Sequence, residues 1–182
     1  MAERQAHGFK FEDKVKETLG IIDSAAYTAE WDIGDNTSVK YIAGEGSINM
    51  ASVVRIVKAL NNPGWTMILG RHDNKTCTKV STIVFDKDTC ETILGDLTLE
   101  QVQEFEEKIK SFPVGKHLEA RAYAKNWKKE NKGKTGLLTI NPKIDSKSQR
   151  RVQCSINNTV LNKLFKVEQD ARFTQLVGVN FG

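Results

Sequence analysis

Apolar residues recur along the chain with two periods, and the switches between them mark out the elements. Phe11, Val15, Leu19 and Ile22 stand at helical spacing, so residues 9–22 are predicted to form a helix with one apolar stripe. Residues 27–33 and 38–43 are rich in aromatic and β-favouring side chains. They flank the turn cluster Gly34-Asp35-Asn36-Thr37, which predicts a β-hairpin. A helix is expected next, with Met50, Val53, Val54, Val57 and Leu60 inward. Ser47 or Asn49 would cap it and Asn61-Asn62-Pro63-Gly64 would end it. Residues 65–70 form a nearly continuous apolar run, as in a strand covered on both faces, and residues 79–85 read as another strand.

The second half is patterned as clearly. Thr98 or Asp96 can cap a helix whose stripe is Leu99, Val102, Phe105, Ile109 and Phe112, and Pro113-Val114-Gly115 breaks it. A further helix is predicted over residues 116–131 with Leu118, Ala122 and Trp127 inward. Strands over 136–144 and 149–156 are joined by Asp145-Ser146-Lys147-Ser148, and a short helix then a strand or tail follow from residue 158. The sum is a single α/β domain over residues 1–182, a central mixed β-sheet flanked by helices.

Composition narrows the class. A chain of 182 residues with 39% hydrophobic and 27% charged residues can bury a core without disulfide or metal staples. No stretch approaches the roughly 20 apolar residues of a membrane span, and residues 1–10 lack the apolar region of a signal peptide. Cys77, Cys90 and Cys154 are odd in number and widely spaced. They read as reduced thiols of an intracellular protein, in cytoplasm or nucleus, or in the host cell if viral. A net charge of +4 permits a polyanionic partner. His7, His72 and His117 form no ligand pattern, and Walker, G-x-G-x-x-G and G-x-S-x-G motifs are absent from the sequence, which argues against a nucleotide-hydrolysing or dinucleotide-dependent enzyme.

Candidate chemistry lies around the predicted hairpin. Strand alternation puts Glu30 and Asp32 on one face of the first strand, and Ser38 and Lys40 on one face of the second. Pairing through the turn would bring Asp32 and Lys40 to the same side. A carboxylate there can bind Mg²⁺, the Val39 carbonyl can add an oxygen ligand, and a lysine can orient water against phosphate. Glu12 lies about 20° from Leu19 around the first helix, at about 100° per residue, so it sits at the edge of the inward stripe. The plain alternatives are a cross-strand ion pair for Asp32 and Lys40 and a surface salt bridge for Glu12.

This order of features resembles the PD-(D/E)XK nuclease superfamily, which includes the type II restriction endonucleases: a helix with Glu12, a strand with Asp32, a strand bearing Ser38-Val39-Lys40, then a helix. The likeness covers roughly residues 9–60. It implies a restriction-endonuclease-like fold and Mg²⁺-dependent, sequence-specific hydrolysis of double-stranded DNA. Catalysis would fall to Asp32, Lys40 and Glu12, and metal binding to Asp32, Glu12, Glu30 and the Val39 carbonyl. A two-fold substrate implies a homodimer. Ser38 departs from the family, which has a carboxylate there, and the spacing from Asp32 is short. Glu30, Glu12 or Glu45 would have to replace that carboxylate, although Glu45 also reads as an ordinary loop residue. The alternative function is a non-catalytic nucleic-acid-binding module with a decayed nuclease site.

Two basic segments bear on DNA. In the hairpin at 136–157, Val152, Cys154 and Ile156 face the core, so Arg151 and Gln153 face outward, where Arg and Gln suit base edges. Lys143, Lys147 and Arg150 suit phosphates, with Gln149 beside them. Residues 126–134 add Lys128 and Lys129 as phosphate contacts. The opposing readings are a charged edge hairpin that deters strand aggregation and a solvated helix end.

Overall fold

The computed structural model describes residues 3–21, 31–34 and 36–182. Ile22, Asp35 and residues 27–30, Glu30 included, lie outside that description. The elements are α1 (Glu3–Thr18), β1 (Thr37–Ala43), β2 (Ile48–Ser52), α2 (Val53–Leu60), β3 (Trp65–Asp73), β4 (Thr76–Phe85), α3 (Lys87–Leu94), α4 (Leu99–Ser111), α5 (His117–Glu130), β5 (Leu138–Ile144), β6 (Arg150–Ile156) and α6 (Asn158–Leu164), then a 3₁₀ turn at Ala171–Leu176. The chain is mixed α/β. Among the described residues the strands form two sheets of three, in the orders β1-β3-β4 and β2-β6-β5, rather than the one central sheet expected.

The chain divides into two compact units: residues 1–46, 64–86 and 161–182, and residues 47–63 and 87–160. The first is built on the mixed sheet, where β1 runs parallel to β3 and β3 antiparallel to β4. Phe11 and Val15 of α1 are fully buried with Val39, Ile68, Val80, Phe173 and Leu176. The Phe11 ring stacks on Tyr41 at 4.4 Å between centroids. Gly70 lets both rings settle on the sheet, since a Cβ there would come within 2.6 Å of Tyr41 Cδ2. Burying a phenylalanine of this kind contributes about 1.5–3 kcal/mol.

The second unit holds the antiparallel sheet with α2, α4 and α5. Thr98 caps α4 through a capping box with Gln101, and Val102, Phe105 and Ile109 form its buried stripe. Ser52, rather than Ser47 or Asn49, caps α2 by accepting from Arg55 N–H. The residues before it form β2, with Ile48 and Met50 buried and Asn49 exposed, so the period there is two and not 3.6. Val53, Ile56, Val57 and Leu60 make the buried face of α2.

The inward face of α5 also differs from the expected one. Ala120 and Ala124 are buried and Trp127 stacks on Phe105 at 4.1 Å, whereas Leu118 is 67% exposed and Ala122 is exposed. Small side chains let α5 approach its neighbours closely, and the bulkier leucine is left in solvent. All three cysteines are buried, and none of them is in a disulfide. No helix is long and apolar enough to cross a membrane, among the described residues.

Candidate active site

Asp32 sits just ahead of β1, at one end of the first sheet. The bridge Ile33–Thr37 turns the chain. Asp32 N–H donates to Thr37 O at 3.0 Å. The Asp32 carboxylate accepts from Val39 N–H at 2.7 Å and from Ser38 Oγ at 3.4 Å. Asp32 therefore lies along the outer side of β1, away from β3. N–H and C=O of one residue share a side of an extended strand, so the Val39 carbonyl points the same way. Within the described residues the expected hairpin reduces to this single bridge, and the long partner of β1 is the parallel strand β3.

Glu12 reaches this neighbourhood from α1. It is inward, as its helical angle suggests, with a side chain 10% exposed. Lys16, one turn on, donates to its Oε1 at 2.6 Å, and its own side chain is 6% exposed. The Glu12 carboxyl is held above its usual range, first by burial and then by the charge of Asp32. The Lys16 hydrogen bond opposes both. The charge of Asp32 thus reaches Glu12. The i, i+4 spacing of Glu12 and Lys16 is visible in the sequence, but its burial is not.

Lys40 lies on the opposite face of β1 from Val39 and Tyr41, which pack on α1. It shares its face with Ser38, as the alternation predicts. Asp32, seated on the strand's outer side, lies between the face of Glu12 and the face of Lys40. Glu45 is a loop residue with its carboxylate 4.0 Å from the buried Arg71 guanidinium. Arg71 also donates to Gly44 O at 2.7 Å. Among the described residues no three or more His, Cys, Asp and Glu side chains form a metal-holding group. Two carboxylates and a main-chain carbonyl are nevertheless hard oxygen donors of the kind Mg²⁺ takes, usually alongside several waters.

Beside this site His7, Tyr41 and His72 form an aromatic cluster, with the two imidazole centroids 5.1 Å apart. His72 Nδ1 accepts from Lys75 N–H at 3.2 Å. Burial and then His7 push the His72 pKa below its ordinary value of 6.5, against a smaller opposing pull from Asp73. The unfolded chain then takes up this proton at a higher pH than the native one. Stability is full above about pH 6.5 and falls on acidification below it, by at most about 1.4 kcal/mol per pH unit for one proton. Urea midpoints at pH 7, 6 and 5 should decline, and His72→Gln should flatten the decline. An unchanged slope in that variant would exclude His72 as its source.

In the second unit the basic hairpin forms as β5 and β6, joined in register from Leu138↔Ile156 to Ile144↔Arg150. Lys143, Lys147 and Arg151 are exposed, Gln149 and Gln153 half-buried. Arg150, expected on phosphates, instead donates to the carbonyls of Phe112, Pro113, Asp145 and Gln149 at 2.8–3.1 Å. Its side chain is 6% exposed, so it fastens the hairpin to the loop after α4. The Gln149 amide, oxygen toward Arg151, accepts from that guanidinium at 2.8 and 3.2 Å. Lys128 and Lys129 are exposed on the last turn of α5. Charge pattern alone does not single out Arg121 and Lys125 on the same helix, although 121, 125 and 128 stand at helical spacing. No family model, curated protein or solved structure matches this chain.

Proposed function

We propose that this protein is a Mg²⁺-dependent DNA endonuclease of restriction-enzyme type, cutting at specific sites as a homodimer. The observation that carries the proposal is the pair of acidic groups beside β1: the buried Glu12, whose pKa the charge of Asp32 helps to raise, and the Asp32 carboxylate that Val39 N–H holds against the strand. Two carboxylates drawn together inside a fold are unfavourable unless a cation joins them. Lys16 supplies one positive charge, and Mg²⁺ would supply more.

In this reading Asp32, Glu12 and the Val39 carbonyl hold the metal, with Glu30 a further candidate. When bound, Mg²⁺ would supply Lewis-acid stabilisation of charge on the phosphate. Val39 N–H and Ser38 Oγ fix the orientation of the Asp32 carboxylate. Ser38 thus takes the place of the family's second carboxylate as a donor rather than a ligand. Lys40 orients the attacking water and stabilises charge on the phosphoryl oxygens.

One observation favours the non-catalytic alternative: Glu12 is paired with Lys16 in a nearly buried ion pair at 2.6 Å. Plasmid incubation separates the two. Discrete cleavage bands are expected with Mg²⁺, and none with EDTA or with Asp32→Ala. Salt-sensitive retardation of DNA with no cutting under any of these conditions would establish the binding module instead.

A further inference from the structure

We infer that the cleft between α5 and β5 is a binding site for the phosphate backbone of duplex DNA. The inference rests on the nuclease reading only for the choice of DNA as the polyanion. The cleft has a volume of about 420 Å³ and is lined by Arg121, Ala124, Lys125, Lys128, Pro142 and Ile144. It lies wholly within the second unit. Three cations stand on one side at helical spacing, over an apolar floor.

Arg121 is the fixed point. Its Nε and one terminal nitrogen both donate to Ile144 O, at 3.2 and 2.9 Å. The guanidinium is therefore held in place before anything binds, and its other terminal nitrogen is left for a phosphate oxygen. Pre-ordering of this kind reduces the entropy lost on binding. Lys125 and Lys128 are exposed on the same helix face.

The spacing fits a nucleic-acid strand. From residue 121 to 128 the helix rises about 10 Å, at about 1.5 Å per residue. One strand of B-DNA advances about 3.4 Å along the axis per phosphate and winds around it as it does so, so a row of cations of this length faces a short run of about two phosphates. The Pro142 and Ile144 side chains provide an apolar surface for the sugars between them. An acidic peptide would match the charge but would gain little from that floor.

The test is fluorescence anisotropy of the full chain with a fluorescein-labelled random-sequence duplex, in EDTA, across a salt series. Lys125→Ala/Lys128→Ala changes two exposed helix positions to the best helix former, so the fold survives, as circular dichroism will check. Lys58→Ala/Lys87→Ala removes the same charge from exposed positions elsewhere in the unit and is the control. The first pair should weaken binding about tenfold or more near 0.1 M salt and lower the log–log salt slope by about 1.8. The control should do neither. Equal losses from both pairs, no duplex binding by the wild type, or displacement of duplex by polyglutamate at lower charge concentration than by unlabelled duplex would each overturn the inference. Cleavage is scored separately in Mg²⁺. Binding that depends on Lys125 and Lys128 without cutting leaves the groove standing and removes the nuclease reading. Cutting with binding unchanged by the pair does the reverse.

Discussion

Replacing Glu12 by leucine is expected to destabilise the fold by about 3–5 kcal/mol, and combining it with Lys16→Met is expected to recover most of that loss. The pair is an ion pair at 2.6 Å with both side chains nearly buried. Its net value as a pair is small, because desolvating two charges opposes their attraction. Removing one member is a different matter, since the other charge is left buried alone. Two apolar side chains of similar volume remove both charges and keep the packing beside Phe11 and Val15. Activity should behave otherwise. If Glu12 helps hold Mg²⁺, both the single and the double variant lose cleavage, although the double is nearly as stable as the wild type. Urea midpoints and plasmid cleavage on the same preparations give the comparison. A double variant that is stable and still cuts would remove Glu12 from the site, and a single variant as stable as the double would mean the pair is not isolated from water.

The burial that makes this effect large is only half legible in the sequence. The angle of Glu12 around α1 places it beside the apolar stripe, and it is inward. That Lys16 follows it inward depends on what packs over α1, which no local pattern records. The same division runs through the fold. The stripe and capping box of α4 and the apolar run of β3 are local signals, and both elements form where they stand. The partner of β1 is not a local matter. A turn cluster before it suggests a hairpin, but its long pairing is parallel, with a strand that begins 28 residues after β1 does. Two apolar positions in β2 merge in the sequence with the helix that follows, because five residues are too few to separate a period of two from one of 3.6. Arg150 reads as a phosphate contact until the carbonyls of residues 112 and 113 are seen beside it. Its role is set by a loop 37 residues away in sequence. Side-chain periodicity reports what faces inward, and says nothing of what it meets there.

The second large effect belongs to a backbone crossing in the second unit. Gly136→Ala is expected to cost more than about 4 kcal/mol, enough to unfold that unit or prevent its folding. Gly136 has φ +58°, where a Cβ is itself unfavourable by about 1–2 kcal/mol. Steric overlap costs more than this. A Cβ there would meet the Ile93 carbonyl oxygen and come within 2.7 Å of Leu94 C and 2.8 Å of Gly95 N. All three are main-chain atoms at the end of α3, and they cannot rotate away as a side chain can. The same carbonyl accepts from Leu137 N–H at 2.9 Å, so opening the crossing also breaks the hydrogen bond that leads the chain into β5. Gly133 supplies the internal comparison. It too has positive φ, at +82°, but nothing lies within 4 Å of a Cβ built there. Gly133→Ala should therefore lose only what the left-handed backbone costs an alanine, about 1–2 kcal/mol. Urea unfolding of the two variants measures the difference directly. Equal losses would show that left-handed geometry alone makes Gly136 necessary, and that the chain can part at this crossing without harm.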